Sequence, residues 1–539
     1  MRAENAAVAY RETPAYARGV ARARAVMAGE LDPFAGAELP TVRNSPVDET
    51  APALLDPVRC VLHTERKWRS IRPRELAALD WRTGHYVDEH GVELFIDERA
   101  SVAQMLDQLP LHTERVLLTG DRPHDDDIAA FRAWVTEPVD GWEPRHYLER
   151  TTRPVMEWRT EGRHVELIRA ASWFGDTDAG PVEVLDAMLR TRQMIDGAWP
   201  GATLLRSPAT TGRELFIRSI PKGERWAVLP DELQQLVRST STQGRIELVW
   251  PGGELPGLVE YDARVFYAAL CAELPAGEPE RWRGEHPYGE YARARLLARW
   301  TIPADWDHVG ILPHLGPDGW TWPDTPGNTY EGWIAGVELQ LARRWGWTVD
   351  VVESLVWPTK GRPLDSWARK LADLAQAAEH DGRRLVRAAL RSIVLHAIGA
   401  FQGREHVVTK SADIDTIDEL PANATSPRWE GDSIVWGETV GQAWPEAAHP
   451  EWCAEVWARA RVRLLDAPAP GNTRVGALHV PREQLVGFYT DAIFLTTDPA
   501  WPDDGKVGRF RLEMAHHAPL RAPRSIGDLA NVRDEAVNG

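Results

Sequence analysis

Two carboxylates and a row of guanidiniums are the side chains of this sequence best suited to act together. Asp262 lies in Leu258-Val-Glu-Tyr-Asp-Ala-Arg-Val-Phe-Tyr-Ala-Ala-Leu270, where an apolar strand pattern ends in a carboxylate and gives way to a helical one. Asp491 lies in Tyr489-Thr-Asp-Ala492, between two short apolar strands, at or near the apex of a β-hairpin. A carboxylate held at a strand end suits a divalent cation that handles phosphate oxygens. The local alternative for Asp262 is an N-cap, its oxygen accepting from the free N–H groups of the first helical turn. Arg383, Arg387 and Arg391 are spaced to share one helical face, and no acidic residue stands between Arg383 and Gln402. Such a row is either a solvated basic face or a grip for a triphosphate.

The elements that must position these groups read as follows. Asp365–His380 and Arg383–Phe401 have helical periodicity on either side of Asp381-Gly382, which predicts an antiparallel helical hairpin. A helix is predicted over His449–Ala467 and a strand over Lys506–Glu513. Upstream of the hairpin, a helix over Tyr330–Trp345 and a strand over Trp347–Trp357 follow residues 275–330, which read as irregular and rich in Pro, Gly and Trp. Residues 403–449 read as an inserted loop or small β-element. Nearer the start, strands at Val58–Leu62, Val92–Ile96 and Arg115–Leu118 alternate with helices at Ser101–Leu109 and Asp126–Val135, a small α/β pattern. Residues 136–160 read as a connector. A strand at His164–Ile168, a helix at Pro181–Met194 and a loop at Ser207–Gly212 follow. Residues 1–50 are expected to form a mobile arm with a helix at Tyr16–Ala28, and the tail beyond Glu513 to be polar and loose.

Composition narrows the class. The 539 residues are 43% hydrophobic and 26% charged, enough to bury a large core in several domains. No window approaches the ~18–20 apolar residues of a membrane span, so no membrane partner is expected. Cys60, Cys271 and Cys453 form neither a zinc pattern nor a disulfide framework, and a cytoplasmic setting is expected. The net charge of −18 argues against nonspecific adhesion to nucleic acid but leaves room for a local basic groove. The 25 tryptophans are either core aromatics or stacking surfaces for bases and sugars.

The order strand-end carboxylate, arginine-faced helix, hairpin-apex carboxylate resembles the family B DNA polymerases, particularly the protein-primed type of phages and linear plasmids. Tyr261-Asp-Ala-Arg-Val-Phe-Tyr-Ala268 resembles motif A, Asp-x-Asn-Ser-Leu-Tyr-Pro. Arg391-Ser-Ile-Val-Leu-His-Ala-Ile-Gly-Ala-Phe401 resembles motif B, Lys-x-x-x-Asn-Ser-x-Tyr-Gly-x-Phe. Tyr489-Thr-Asp-Ala-Ile493 resembles motif C, Asp-Thr-Asp-Ser. Thr242-Gln-Gly-Arg-Ile-Glu247 is similar to the Tyr-x-Gly-Gly region before motif A. Val456-Trp-Ala-Arg459 and Lys506–Glu513 resemble the helix before motif C and the strand after it. The resemblance covers roughly residues 238–515.

What it implies is specific. Asp262 and Asp491 would be the catalytic metal ligands for two Mg²⁺ or Mn²⁺ ions. Tyr267 would be the gate beneath the incoming sugar. Arg391 would replace the motif B lysine on the triphosphate, assisted by Arg387 and Arg383. Gly399, Gly244 and Arg245 would meet the template or other DNA backbone. The partners would be a DNA primer–template, deoxynucleoside triphosphates and a priming protein. The sequence departs from the motifs at Arg264, Val265 and Ala268 in A, Leu395 and Ile398 in B, and Tyr489 and Ala492 in C. No Asp-x-Glu pair occurs in residues 1–250, so an exonuclease-like domain there would be inactive.

The expected fold is α+β and multidomain: a polymerase right hand with an antiparallel palm sheet and helical-hairpin fingers, after an α/β region with the character of a degenerate exonuclease. The division runs 1–50 arm, 51–237 N-terminal α/β region, 238–358 first palm part with an insertion, 359–402 fingers, 403–448 inserted element, 449–515 second palm part, and 516–539 tail. The expected function is template-directed DNA synthesis without proofreading. A polymerase-like scaffold that binds nucleic acid without catalysis, and a carbohydrate-active enzyme with paired carboxylates, stay open at this level.

Overall fold

The computed structural model describes residues 53–538, apart from 59, 63–70, 98–99, 121–129, 131–133, 135–140, 147–154, 176, 222–225, 251, 265, 290–291, 318, 404, 414–423, 431–432 and 443–447. The expected arm, its helix at Tyr16–Ala28 and nearly all of the expected Asp126–Val135 helix lie outside the described residues. The architecture is mixed α and β. Three larger sheets dominate, and helices pack on them.

The first sheet has seven strands. Leu76–Asp80, Arg115–Thr119 and His164–Arg169 are parallel at its centre, with Glu93–Phe95 and His85–Asp88 beyond one side and Val155–Arg159 and Glu143–His146 beyond the other. Alternating side chains serve two cores. Leu76, Ala78, Leu117 and Ile168 meet the helix Pro181–Ala198, while Ala77, Leu79, Val116 and Leu118 meet the helix Val102–Gln108. Two-faced burial explains the near-continuous apolar runs. Residues 136–160, expected as a connector, supply two of the strands. Their Trp and Pro content hid a strand edge, which tolerates proline better than a sheet centre does.

The second sheet is antiparallel throughout, in the order Ile246–Leu248, Leu485–Tyr489, Ala492–Leu495, Leu258–Ala263, Phe510–His516. Every residue of Leu258–Ala263 is buried. The third sheet joins Ala53–Pro57, Glu280–Arg283, Thr348–Trp357, Arg293–Thr301 and Thr329–Ala335, again antiparallel. Residues 275–330, expected as irregular, thus contribute the strands Glu280–Arg283 and Arg293–Thr301 to this sheet, with irregular stretches between the strands. The expected Tyr330–Trp345 helix begins only at Gly336, because the preceding residues pair with Arg293–Thr301. Glu405–Asp413, Ala424–Glu430 and Ser433–Gln442 form a separate three-stranded antiparallel sheet.

The helical hairpin comprises Asp365–His380 and Arg384–Ala400, turned at Gly382 with φ +71°. The second helix also packs on Pro208–Ser219. Residues 207–212 were expected as a loop, but Ser207 caps this helix and Pro208 occupies its first turn, where a missing N–H costs nothing. Gly212 allows the close crossing, since a Cβ there would fall 2.4 Å from the Ala397 Cβ. The tail is not loose. Leu520–Arg521 pairs with Glu254–Leu255, and the helix Asp528–Asn538 buries Leu529 and Val532 against Leu258, Val486 and Phe494. No helix among the described residues is long and apolar enough to cross a membrane.

Candidate active site

Strand register brings the two carboxylates together. Asp262 pairs with Ala492, the residue after Asp491, and the Ala263 amide donates to the Asp491 carbonyl at 3.3 Å. Tyr489 pairs with Ala492, so Thr490 and Asp491 form the two-residue turn. Thr490 adopts φ +56°, a region that a β-branched residue rarely occupies. Three contacts hold it there. Its amide donates to the Arg245 carbonyl at 2.9 Å, its hydroxyl donates to Asp491 Oδ1 at 2.7 Å, and the pairing on either side closes the turn. Backbone strain of this kind persists where its surroundings over-determine it.

Arg391 reaches these groups from the second hairpin helix. Its Nη2 donates to Asp262 Oδ1 at 3.3 Å and also to Asp491 Oδ2. One nitrogen therefore touches both carboxylates. Asp262 is 6% exposed. The helix that follows begins at Phe266, four residues on, so Asp262 does not occupy its N-cap position. Burial pushes the Asp262 carboxyl up to about 7; Arg391 opposes the shift, while Asp491 and Glu513 reinforce it. The Arg391 guanidinium is raised above its ordinary value, chiefly by Asp491. Two carboxylates crowded in a partly dry site, against a single arginine, form a donor set that a divalent cation would satisfy.

Tyr267 is buried beside this pair, and burial raises its phenol. Gly244 abuts it: a Cβ on Gly244 would lie 2.9 Å from the Tyr267 Oη and 3.4 Å from the Thr490 Cα. Gly399 lies on the Arg391 helix, where a Cβ would make only ordinary contact with Trp457 at 3.9 Å. Packing within the chain therefore does not require glycine at this position.

The arginine row is less uniform than its spacing implies. Arg387 lies 3.6 Å from Glu379, and Arg383 lies 3.7 Å from Asp381. The neutralising acids come from the preceding helix and the turn, which a scan of one helix misses. Only Arg391 of the three touches Asp262 and Asp491. Arg245 does not face a nucleic-acid groove. It is fully buried, donates to Glu247 and to the Gly310 carbonyl at 2.8 Å, and lies between the Phe488 and Trp322 rings. Burial requires those partners, and they make Arg245 a structural clamp.

Sequence reading missed several contributors. Arg511 pairs in register with Asp262; it donates to Glu379 at 3.0 Å and lies 2.7 Å from Glu513. Glu513 adds negative charge to the site. The signal was the period-two spacing of Arg511 and Glu513 on the neighbouring strand. Arg461, 1% exposed, is paired with Glu338 and donates to the Thr242 and Gln243 carbonyls at 2.9 and 2.8 Å, holding the loop before Gly244.

No protein-family model and no curated protein matches the chain by sequence. Solved structures match it by fold. The fold is similar to that of Phi29 DNA polymerase. Its complex with single-stranded DNA aligns at a TM-score of 0.53 and 13% identity, covering 83% of this chain and 85% of that one. Its ternary complex with primer–template DNA and incoming nucleotide substrates gives 0.52 at 13% identity, and its post-translocation complex with primer–template DNA gives 0.52 at 14%, with the same coverage. At this identity the likeness to Phi29 DNA polymerase is one of fold. It spans most of both chains and so takes in more than one sheet.

Proposed function

We propose that this chain is a template-directed DNA polymerase that extends a primer 3′-hydroxyl with deoxynucleotides. The observation that carries the reading is the convergence of Asp262 and Asp491 on one Arg391 nitrogen, in a fold similar to one solved with primer–template DNA and incoming nucleotides. Asp262 and Asp491 would hold Mg²⁺ or Mn²⁺, with the Asp491 carboxylate oriented by the Thr490 hydroxyl. The bound ions would lower the pKa of the attacking hydroxyl and neutralise the leaving pyrophosphate. Arg391, 41% exposed at its side chain, would turn from the carboxylates towards the triphosphate. Arg387 and Arg383 lie further along the same face, where exchange of Glu379 and Asp381 for phosphate would free them. Tyr267, wedged against Gly244, would present a fixed wall beneath the sugar. A DNA primer–template and deoxynucleoside triphosphates are the proposed substrates, and a priming protein a proposed partner.

Proofreading is not part of the proposal. The carboxyl ends of the three parallel strands surround a 350 Å³ cavity lined by Asp80, Arg82, Thr119, Arg169 and Asp178. Two guanidiniums there accompany two carboxylates, a charge balance poorly suited to a pair of divalent ions.

Primer extension with Mg²⁺ or Mn²⁺ on a primed template tests the reading, with wild type beside Asp491→Asn. Extension by wild type and its loss in the variant are expected; extension that survives the substitution overturns the mechanism. A second reading, a nucleic-acid-binding scaffold without synthesis, is favoured by the Arg391 clasp, in which one guanidinium holds both carboxylates without any ion. DNA binding with no extension under either metal would select it.

A further inference from the structure

The carboxyl ends of the three parallel strands gather a second group of charged side chains, apart from Asp262 and Asp491. Asp80, Thr119 and Arg169 are the last residues of Leu76–Asp80, Arg115–Thr119 and His164–Arg169. Register sets them side by side, with Asp80 opposite Thr119 and Leu118 opposite Arg169. With Arg82 and Asp178 they line the 350 Å³ cavity, a volume within the about 300–1,000 Å³ typical of small-molecule sites. The carboxyl edge of parallel strands is also where open α/β sheets bind ligands.

Three observations point to an anion. The guanidiniums of Arg82 and Arg169 make no hydrogen bond or ion pair with the described residues. Thr119 is 4% exposed, and its Oγ1 has no hydrogen-bond partner among them. A buried hydroxyl is ordinarily paired, so one left over at a cavity wall asks for a ligand atom. Asp80 does not compete for the guanidiniums through Oδ1. That oxygen accepts from the amides of Arg82 at 2.8 Å and Thr83 at 3.0 Å, which fixes the turn carrying Arg82. The corner after Arg169 is fixed as well, because the Ser172 hydroxyl donates to the Arg169 carbonyl at 2.7 Å.

We propose that this cavity binds a small phosphate monoester without a metal ion. Arg82 and Arg169 supply forked donors to the phosphate oxygens, and the Thr119 hydroxyl supplies another. Asp178, exposed at the cavity, accepts from the hydroxyls of an attached sugar. A monoester dianion matches two guanidiniums, whereas a phosphodiester within a nucleic-acid strand carries a single charge. A sugar phosphate and a nucleoside monophosphate present the same chemistry. None of these residues belongs to the Asp262–Asp491 site, so binding here is measured separately from DNA synthesis.

The test is isothermal titration of the full chain with ribose 5-phosphate, with AMP and with unphosphorylated ribose, in buffer containing EDTA. Binding of the phosphate esters is expected, with ribose at least about tenfold weaker. Arg82→Ala, at an exposed position where folding is not at stake, should weaken the esters about tenfold, as should Arg169→Ala. Thr119→Val should weaken them about threefold. Tighter binding of AMP than of ribose 5-phosphate supports a nucleotide as occupant, and equal or weaker binding of AMP supports a sugar phosphate. Three results each overturn the proposal: neither ester binding wild type at about 1 mM, ester binding that appears only when Mg²⁺ is added, or affinity of Arg82→Ala within about twofold of wild type.

Discussion

Two sheets of this protein each carry an aspartate at or next to the end of a buried strand, and the two aspartates have opposite surroundings. Asp80, at the end of Leu76–Asp80, accepts from the amides of Arg82 at 2.8 Å and Thr83 at 3.0 Å and so fastens its own turn. Asp262, at the same kind of place in the second sheet, accepts nothing from the backbone of the described residues and faces a second carboxylate instead. A strand-end aspartate on a local turn is satisfied, whereas one facing another carboxylate must find a cation. The contrast separates a structural residue from a candidate catalytic one more sharply than either sequence context does.

The largest expected effect breaks the comparison outright. Asp262→Asn or Asp491→Asn should lower the rate of primer extension by about three orders of magnitude, while Asp80→Asn should leave it within about twofold. Comparable losses in all three would mean the two aspartates do not differ in role.

Titration sharpens the contrast. The Asp262 carboxyl is raised from an ordinary 3.8 to about 7. Between those values the folded protein binds more protons than the unfolded chain, so stability must fall as pH rises through that window and then level off. In metal-free buffer the melting temperature is expected to drop by roughly several degrees from pH 5 to pH 8 through this group. Asp262→Asn should remove that part of the slope. A slope identical in the variant would place its origin elsewhere, Glu260 being the nearest alternative because burial raises it too.

Gly244→Ala should cost about 1–3 kcal/mol by overpacking against Tyr267, and Tyr267→Phe should recover part of the loss in a double-mutant cycle. Additive losses in the cycle would argue against the contact. The smallest effect is expected at Asp80→Ala, about 1 kcal/mol per lost turn hydrogen bond, read by denaturant unfolding.

The legible parts of the fold were those with local causes. The hairpin helices, Asp365–His380 and Arg384–Ala400, follow from apolar periodicity and the Asp381-Gly382 turn. The strands around Asp262 and Asp491 follow from short apolar runs with turn residues between them. What was missed depends on distant partners. Leu76-Ala-Ala-Leu79 has no strong strand propensity and becomes a strand because Arg115–Thr119 lies parallel to it. Glu280–Arg283, within the stretch expected as irregular, became a strand through pairing with Ala53–Pro57 and Thr348–Trp357. At the candidate site, residue types and order could be read from Asp262, Arg391 and Asp491. The burial of Arg245 could not, because it depends on Gly310, Trp322 and Phe488, far away in the chain.

The register of the second sheet also sets a timetable for assembly. Asp262 pairs with Ala492 across a separation of 230 residues, and on its other side with Arg511. Long-range antiparallel pairing is slow because the loop must close before any contact rewards it. A nascent chain that has emerged only as far as the arginine helix carries Asp262 on a strand with neither neighbour in place. Until residues 485–516 arrive, that apolar strand has two open edges and is a target for chaperones or for aggregation. The two carboxylates can thus meet only after residues 485–516 have been made, so partly made chains lack the paired carboxylates.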